Sequence, residues 1–348
     1  MKITQVSRHP YRLRFNRPLV TGRGTVSERY GQLLIAESDD GSRGSGDVCP
    51  WPGFGSDDPD AVHRNFEAIV DGPNALDGVE FQTPADVDSW LRASSWAPEI
   101  RAAYELALLD LLGQRADRPI ARLLSPDPDR SVPVHQLVND ALDTPLMAHA
   151  VKLKVGQNLA RDLERTRAVR DRLGPDTPIR LDANGSWTVP DAIEALESFA
   201  PIGIEFVEQP VASPEGLAEV RAHSPIAIAA DESVRDAASL DAIIDAKAAD
   251  LVVLKPAFLG GIIASQRLAG RARSKSIDSI VTHALGSAVE RAGALNLAAA
   301  LKLGRASGLG HPFQDDVGSS YRIASGLAHL ERRGGHGVSL HPSQEHQH

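Results

Sequence analysis

Five short charged runs stand out in the second half of the chain: Lys152-Leu153-Lys154, Asp182-Ala183-Asn184, Glu208-Gln209-Pro210, Asp231-Glu232-Ser233 and Lys255-Pro256. Each closes a short apolar run, and each lies about one strand-and-helix repeat beyond the last. Asp182, Glu208 and Asp231 are hard oxygen donors of the kind that Mg²⁺ takes while keeping positions open. Any one of them could instead cap the helix that follows. Three in phase at consecutive strand ends fit a shared cation better, since without one they repel each other. Lys152, Lys154 and Lys255 flank that acidic centre. Alternation puts Lys152 and Lys154 on one face of a strand whose other residues, Val151, Leu153 and Val155, are apolar. An amine with a pKa of about 10.4 is a poor base at neutral pH, so neighbouring cations and desolvation are expected to lower it. The chemistry this set suits is removal of the weakly acidic proton beside a substrate carboxylate. A divalent cation would hold the carboxylate as charge develops, one lysine would take the proton, and the second would stabilise charge or donate a proton on the other face.

These side chains need a scaffold that brings successive strand ends to one rim. From Val132 onward short β-rich runs alternate with helical stretches. Strands are expected at 132–138, 151–155, 179–182, 204–207, 227–230, 251–254 and 277–282, with a short closing strand near 306–309. Helices are expected near 159–173, 190–200, 214–223, 237–247, 261–274 and 287–303. That rhythm predicts an α/β fold, and its regularity fits a closed parallel barrel better than a doubly wound sheet. In such a barrel the strands' C-terminal ends face the active site, which is where all five charged runs fall. Ahead of it, Lys2 to Ile35 reads as a hairpin with a polar loop from Thr21 to Arg29. Helices follow at 60–70 and 98–112, the second with Ile100, Ala103, Leu106, Ala107 and Leu111 on one apolar face. The turn-rich run Ser125-Pro126-Asp127-Pro128-Asp129-Arg130 marks a boundary. The expected division is an α+β unit over 1–125, the barrel over 126–310, and a segment over 311–348 that leaves the barrel and ends in a disordered tail.

Composition narrows the function classes. A hydrophobic fraction of 42% and a charged fraction of 24% are ordinary for a globular chain. No run approaches the roughly 18 apolar residues of a membrane span, and the start lacks a secretory apolar core, so a cytoplasmic location is expected. The formal net charge of −9 argues against nucleic acid or an anionic membrane as partner. A small carboxylate substrate remains compatible, because a few lysines and a cation reverse the field locally. A homo-oligomer is neither required nor excluded. The single cysteine, Cys49, rules out an intrachain disulfide and reads as structural.

With Lys152-x-Lys154, the carboxylates Asp182, Glu208 and Asp231, and the opposing Lys255, the chain resembles the enolase superfamily, of the muconate-lactonizing type. The resemblance implies a (β/α)₇β barrel, a modified TIM barrel, under an α+β capping domain formed by the N-terminal region with the C-terminal segment. It implies Mg²⁺, with Mn²⁺ as an admissible substitute, on Asp182, Glu208 and Asp231. Asn184 and Glu232 support that centre, with Glu232 expected to orient Lys255. The runs Gly46 to Phe54 and Arg180 to Trp187 are similar to o-succinylbenzoate synthases of menaquinone biosynthesis, lyases that dehydrate a cyclohexadiene carboxylate carrying a succinyl arm. In that resemblance Lys154 removes the α-proton. One departure is Thr282-His283-Ala284-Leu285-Gly286-Ser287, with Gly286 where an acid is expected. Arg23, Arg29 and His283 are candidate substrate contacts. Racemisation of N-succinylamino acids or epimerisation of dipeptides is the chief alternative. Muconate cycloisomerisation is less favoured, and a noncatalytic binding protein least of all.

Overall fold

The computed structural model describes residues 1–21, 24–55, 58–138 and 148–342. Gly22, Arg23 and the 343–348 tail lie outside them. The N-terminal unit is an antiparallel sheet in the order β1 (Ile3–Thr21), β2 (Gly24–Ser38), β3 (Arg43–Val48), followed by α1 (Pro59–Val70), α2 (Pro84–Arg92), α3 (Pro98–Ala116) and α4 (Ile120–Leu124). The predicted hairpin is present, but its expected loop is a correction: residues 24–29 continue β2 alongside β1, with Leu13 opposite Arg29 and, beyond a register shift after Arg14, Leu19 opposite Val26. Polarity misled there because both strands are half-exposed along this stretch. β3 and α2 add to the expected elements.

Helix α3 is also more deeply set than one apolar face requires. Glu99, Glu105 and Asp110 are buried along with its apolar residues. On one side β3 lies so close that a Cβ on Gly46 would fall 1.9 Å from the Ala103 carbonyl oxygen. On the other side α3 meets the second unit.

That unit begins after an irregular 125–130 linker and a short β4 (Ser131–Pro133). Its strands are β5 (His135–Val138), β6 (Ala150–Lys154), β7 (Ile179–Asp182), β8 (Ile204–Glu208), β9 (Ala227–Ala230), β10 (Leu251–Leu254) and β11 (Asp278–Val281). They form one parallel sheet in sequence order. Its two edges are joined through the chain at 307–308, where Ser307 bridges Val134 and Gly308 bridges Thr282, both in parallel sense. The arrangement is TIM-barrel-like. Runs such as Leu251-Val252-Val253-Leu254 are apolar throughout because both faces are covered. The inner face packs Phe206, Ala229, Leu251, Val253 and Ile280 into a small cluster of their own, while Val207, Ile228, Val252 and Leu254 face the helices.

The helices are α5 (Leu159–Leu173), α6 (Val189–Phe199), α7 (Pro214–His223), α8 (Ala237–Asp245), α9 (Ile262–Arg273) and α10 (Ala288–Leu301). Asn158, Thr188, Ser213, Asp236 and Ser287 cap five of them with their own side chains. Helix α9 has no such cap. Instead Glu105 of α3 accepts the Ile262 and Ile263 amides, and Gly261, at φ 119°, leaves room for that carboxylate. The N-terminal unit therefore supplies the missing cap of a barrel helix. Beyond Gly310 the chain runs back along β1, with Asn16 donating to Pro312 and Gln314 to Arg14, and Phe313 against Phe15 at 4.8 Å.

Burial is the main reason the Glu105 carboxyl is pushed up to about 8. Between the ordinary carboxylate range and about pH 8 the folded chain keeps a proton there that the unfolded chain has released. The unfolded state binds fewer protons in that window, so this group makes stability fall as pH rises. Urea-unfolding midpoints at pH 5 and pH 8 are expected to fall with pH in the wild type and to fall less in Glu105→Gln. Equal slopes would contradict a proton held at Glu105.

Candidate active site

Parallel register decides which side chains share the barrel mouth. Lys154 stands opposite Asp182, Asp182 opposite Glu208, and Glu208 opposite Ala229, so the first three form one row across β6, β7 and β8. Asp231 follows Ala229 by two residues and Lys255 follows Val253 by two, which keeps both on the inward face. The sequence-predicted lysines and carboxylates thus meet at one rim, around a cavity of about 810 Å³ lined by Lys152, Lys154, Asp182, Asp231, Glu232 and Lys255.

Lys152 Nζ lies 2.6 Å from Glu208 and 2.9 Å from Asp182, and Lys255 Nζ lies 2.5 Å from Asp231 and 3.8 Å from the centre of the Phe54 ring. Lys154 donates to Asn184 Oδ1 at 3.0 Å, and Asn184 donates in turn to Glu232 at 3.1 Å. Glu232 steadies Asn184 and interacts with Lys255 through its charge, while the direct ion pair of Lys255 is with Asp231.

The charges do not balance. Burial would lower the Lys152 pKa, but Asp182, Glu208 and Asp231 outweigh it and hold the ammonium well above its ordinary value. The expected lowering is reversed at this lysine because its neighbours are anions. Against the cost of burial, Lys152 and Lys154 keep the Asp182 carboxyl below the ordinary range. Glu208 goes the other way: burial, reinforced by Asp182 and Asp231, pushes it up to about 8. Burial also raises Asp231 and Glu232, and one Glu232 oxygen, Oε2, is buried without a hydrogen-bond partner among the described residues. The lysines leave an anionic excess that a divalent cation would remove. Asp182, Glu208 and Asp231 are the residues that could hold it. As they stand, no three His, Cys, Asp or Glu side chains among the described residues are gathered tightly enough to enclose a metal ion. Lys152 and Lys255 occupy the space between them, so both ammonium groups would have to draw aside.

Sequence reasoning missed Gln209. It is buried, accepts from the Asp231 and Ser233 amides, and donates to Val211 O and Ser233 Oγ, so it pins the end of β9 to the end of β8. Its φ of 40° is that of a residue held by its surroundings. His135 was missed as well. The alternation rule applied to β6 would have placed it inward on β5. Its Nδ1 faces Arg180 Nη1 at 3.0 Å, and Arg180 is buried in the barrel floor with bonds to Glu205 and Ala306 O. His283, a candidate substrate contact, lines the cavity. Burial brings its pKa down to about 3, which favours the neutral ring.

Arg29 is a correction. All three of its guanidinium nitrogens donate to carbonyls, of Leu285, Pro50 and Cys49, and the group stacks over Trp51 at 4.4 Å. It clamps the 49–54 loop to the β11–α10 loop, is itself buried, and is not among the residues that line the cavity. Gly286 gains an explanation from the same junction. Asp47 accepts the Ser287 amide at 2.7 Å, and a Cβ at 286 would lie 2.8 Å from that carboxylate. Glu290 accepts the Ala284 and Gly286 amides, so carboxylates from elsewhere fill the space where an acid was expected. Cys49 is buried, and burial pushes its thiol up to about 12, as a structural residue requires.

A larger cavity of about 1160 Å³ lies against β1, β3, α3 and the 333–340 segment and contains none of the strand-end groups. There Ser45 Oγ and Asp110 both meet the same His336 nitrogen, Nε2, at 2.7 and 3.0 Å, while Nδ1 accepts the Val338 amide. A relay needs the two ring nitrogens on different partners, so this is a structural tie.

Residues 136–344 match the family described as Enolase C-terminal domain-like. The chain belongs to the enolase superfamily. An o-succinylbenzoate synthase of Mycobacterium bovis is 41% identical over 192 residues, covering 53% of this chain and 57% of that protein. The chain thus spans little more than half the length of the synthase it matches. The N-succinyl-L-Arg/Lys racemase of Bacillus cereus is 27% identical over 340 residues, 92% of this chain and 90% of its own. A crystal structure of N-succinyl Arg/Lys racemase from Bacillus cereus superposes with a TM-score of 0.89 at 24% identity, covering 99% of this chain and 97% of that one. A dipeptide epimerase from Enterococcus faecalis, complexed with Mg and the dipeptide L-Leu-L-Tyr, gives 0.87 at 26% identity, covering 97% and 100%.

Breaking the Lys152 pairs leaves two buried carboxylates uncompensated, at a cost of about 3–5 kcal/mol. In chelator, Lys152→Met is expected to melt well below the wild type, and Mg²⁺ is expected to raise the melting temperature of the variant more than that of the wild type. An unchanged midpoint in chelator would contradict the counterion role.

Proposed function

We propose that this superfamily member is an o-succinylbenzoate synthase. It would convert 2-succinyl-6-hydroxy-2,4-cyclohexadiene-1-carboxylate to 2-succinylbenzoate and water in menaquinone biosynthesis, as a Mg²⁺-dependent lyase. The observation that carries the reading is that lysines from β6 and from the end of β10 share one cavity with Asp182 and Asp231, while Glu208 is held beside it by Lys152. In this reading residues 1–125 cap the barrel of 126–310, and 311–348 returns to the cap.

Bound at the three carboxylates, Mg²⁺, or Mn²⁺ in its place, would supply electrostatic stabilisation to the substrate carboxylate. Lys154, as the neutral amine, takes the α-proton. The resulting electron pair forms the new ring double bond as the C–O bond to the neighbouring hydroxyl breaks. Lys154 then returns the proton to the departing hydroxide, so the sum is loss of one water. Lys255, held beside Phe54, stabilises the negative charge from the other side. Trp51, Phe54 and Leu137 give the cavity an apolar wall suited to a six-membered ring.

Identity to the synthase is higher than to the racemase but covers only half the chain. The racemase match runs along nearly the whole length, and two lysines on opposite sides are what proton exchange between faces would use. That is the second reading. With Mg²⁺ and the cyclohexadiene substrate, the purified protein is expected to produce the ultraviolet spectrum of the aromatic acid. Lys154→Ala should lower the rate by about 10²–10⁴-fold and leave the fold intact by circular dichroism. No spectral change, together with solvent-deuterium exchange at the α-carbon of N-succinylamino acids, would replace the synthase with the racemase.

A further inference from the structure

The rim of the barrel is charged on one side only. Opposite the carboxylates, β5, the β11 end and the closing segment bring His135, Thr282 and His283 to the same cavity. Hydrogen bonding fixes both imidazoles. Arg180 has only donors, so His135 Nδ1, at 3.0 Å from it, must accept. A backbone amide also only donates, so His283 Nδ1, at 3.1 Å from the Leu285 N–H, must accept. Each neutral ring then carries its hydrogen on Nε2. Burial first, and nearby cations next, hold both pKa values below the ordinary histidine range, which agrees with that tautomer. Gly308 keeps the corner open: a Cβ there would lie 2.8 Å from Thr282 and 3.0 Å from His135 Nε2. The Thr282 hydroxyl is buried and has no hydrogen-bond partner among the described residues.

We propose that His135 and His283, with Thr282 beside them, form an uncharged donor subsite for the acyl carbonyl oxygen of the substrate's side arm. The assignment rests on the proposed function for the identity of that arm. A carbonyl accepts hydrogen bonds without bringing charge beside two neutral rings, where the cations Lys152 and Arg180 are already paired. Lys152 is engaged by Glu208 and Asp182, and Arg180 by Glu205. A carboxylate placed there would lose hydration with nothing to compensate it. The subsite would therefore hold the arm by its ketone or amide oxygen and leave the reacting carboxylate to the acidic side.

The test is calorimetric binding of benzoate, 2-acetylbenzoate and 2-succinylbenzoate to the Mg²⁺-saturated protein, for the wild type and for His135→Leu, His283→Leu and His283→Asn, with folding checked by circular dichroism. Loss of one donor is expected to weaken the acetyl and succinyl ligands about five- to tenfold while benzoate changes less than about twofold. Asparagine at 283 retains both an acceptor and a donor, so it should recover most of the loss. Equal weakening of all three ligands, no weakening, or weakening of the succinyl ligand alone would each overturn the carbonyl assignment. A wild type that binds all three alike would do so too. If the wild type prefers the arm-bearing ligands yet does not dehydrate the cyclohexadiene substrate, the synthase reading fails and the subsite stands.

Discussion

The structure turns on an electrostatic imbalance at the barrel mouth. Three strand-end carboxylates, Asp182, Glu208 and Asp231, are buried side by side with a fourth, Glu232, behind them. They have little contact with solvent, so their repulsion is strong and must be met by counter-charge close at hand. Lys152 and Lys255 do part of this, which is why their ammonium groups sit at 2.5–2.9 Å from carboxylate oxygens. Burial first, with Asp182 and Asp231 adding to it, still pushes the Glu208 carboxyl up. In the proposed reading a cation held by Asp182, Glu208 and Asp231 would supply further positive charge and free those lysines for chemistry.

Such a centre needs walls that do not yield, and the two units are locked together at its edge by buried polar contacts. Glu105 caps α9, Asp47 holds the start of α10, and Arg29 ties the 49–54 loop to Leu285. Each contact joins a residue of the sheet or helices before residue 117 to a backbone group of the barrel. The aromatic residues Trp51 and Phe54, which line the cavity, are carried on the loop that Arg29 secures. Position 286 is glycine for the same reason: the junction has already filled that space with Asp47.

Much of this was legible beforehand. The barrel strands and helices lie within a few residues of where the alternation of apolar runs placed them, because a parallel sheet covered on both faces leaves a strong signal in Val, Ile and Leu. Lys152, Lys154, Asp182, Glu208, Asp231 and Lys255 were visible because strand-end position is a one-dimensional property. The arginine at 29 was misjudged for the opposite reason. Its role depends on carbonyls at 49, 50 and 285, and no local pattern announces a partner so far along the chain. Gln209 and His135 were overlooked because neutral polar residues on strands look like surface until the register shows which way they face. That Asp231 rather than its neighbour Glu232 makes the direct ion pair with Lys255 could not be read from two adjacent acids.

The central claim is that Asp182, Glu208 and Asp231 form one divalent-cation site. Titration of the chelator-treated protein with Mn²⁺, followed by electron paramagnetic resonance, measures it directly. The account predicts one bound ion per chain, with affinity reduced about 10- to 100-fold or more in Glu208→Gln, since a lost ligand should cost at least as much as a lost supporting residue. Binding of equal strength in Glu208→Gln, or no bound ion in the wild type, would contradict it.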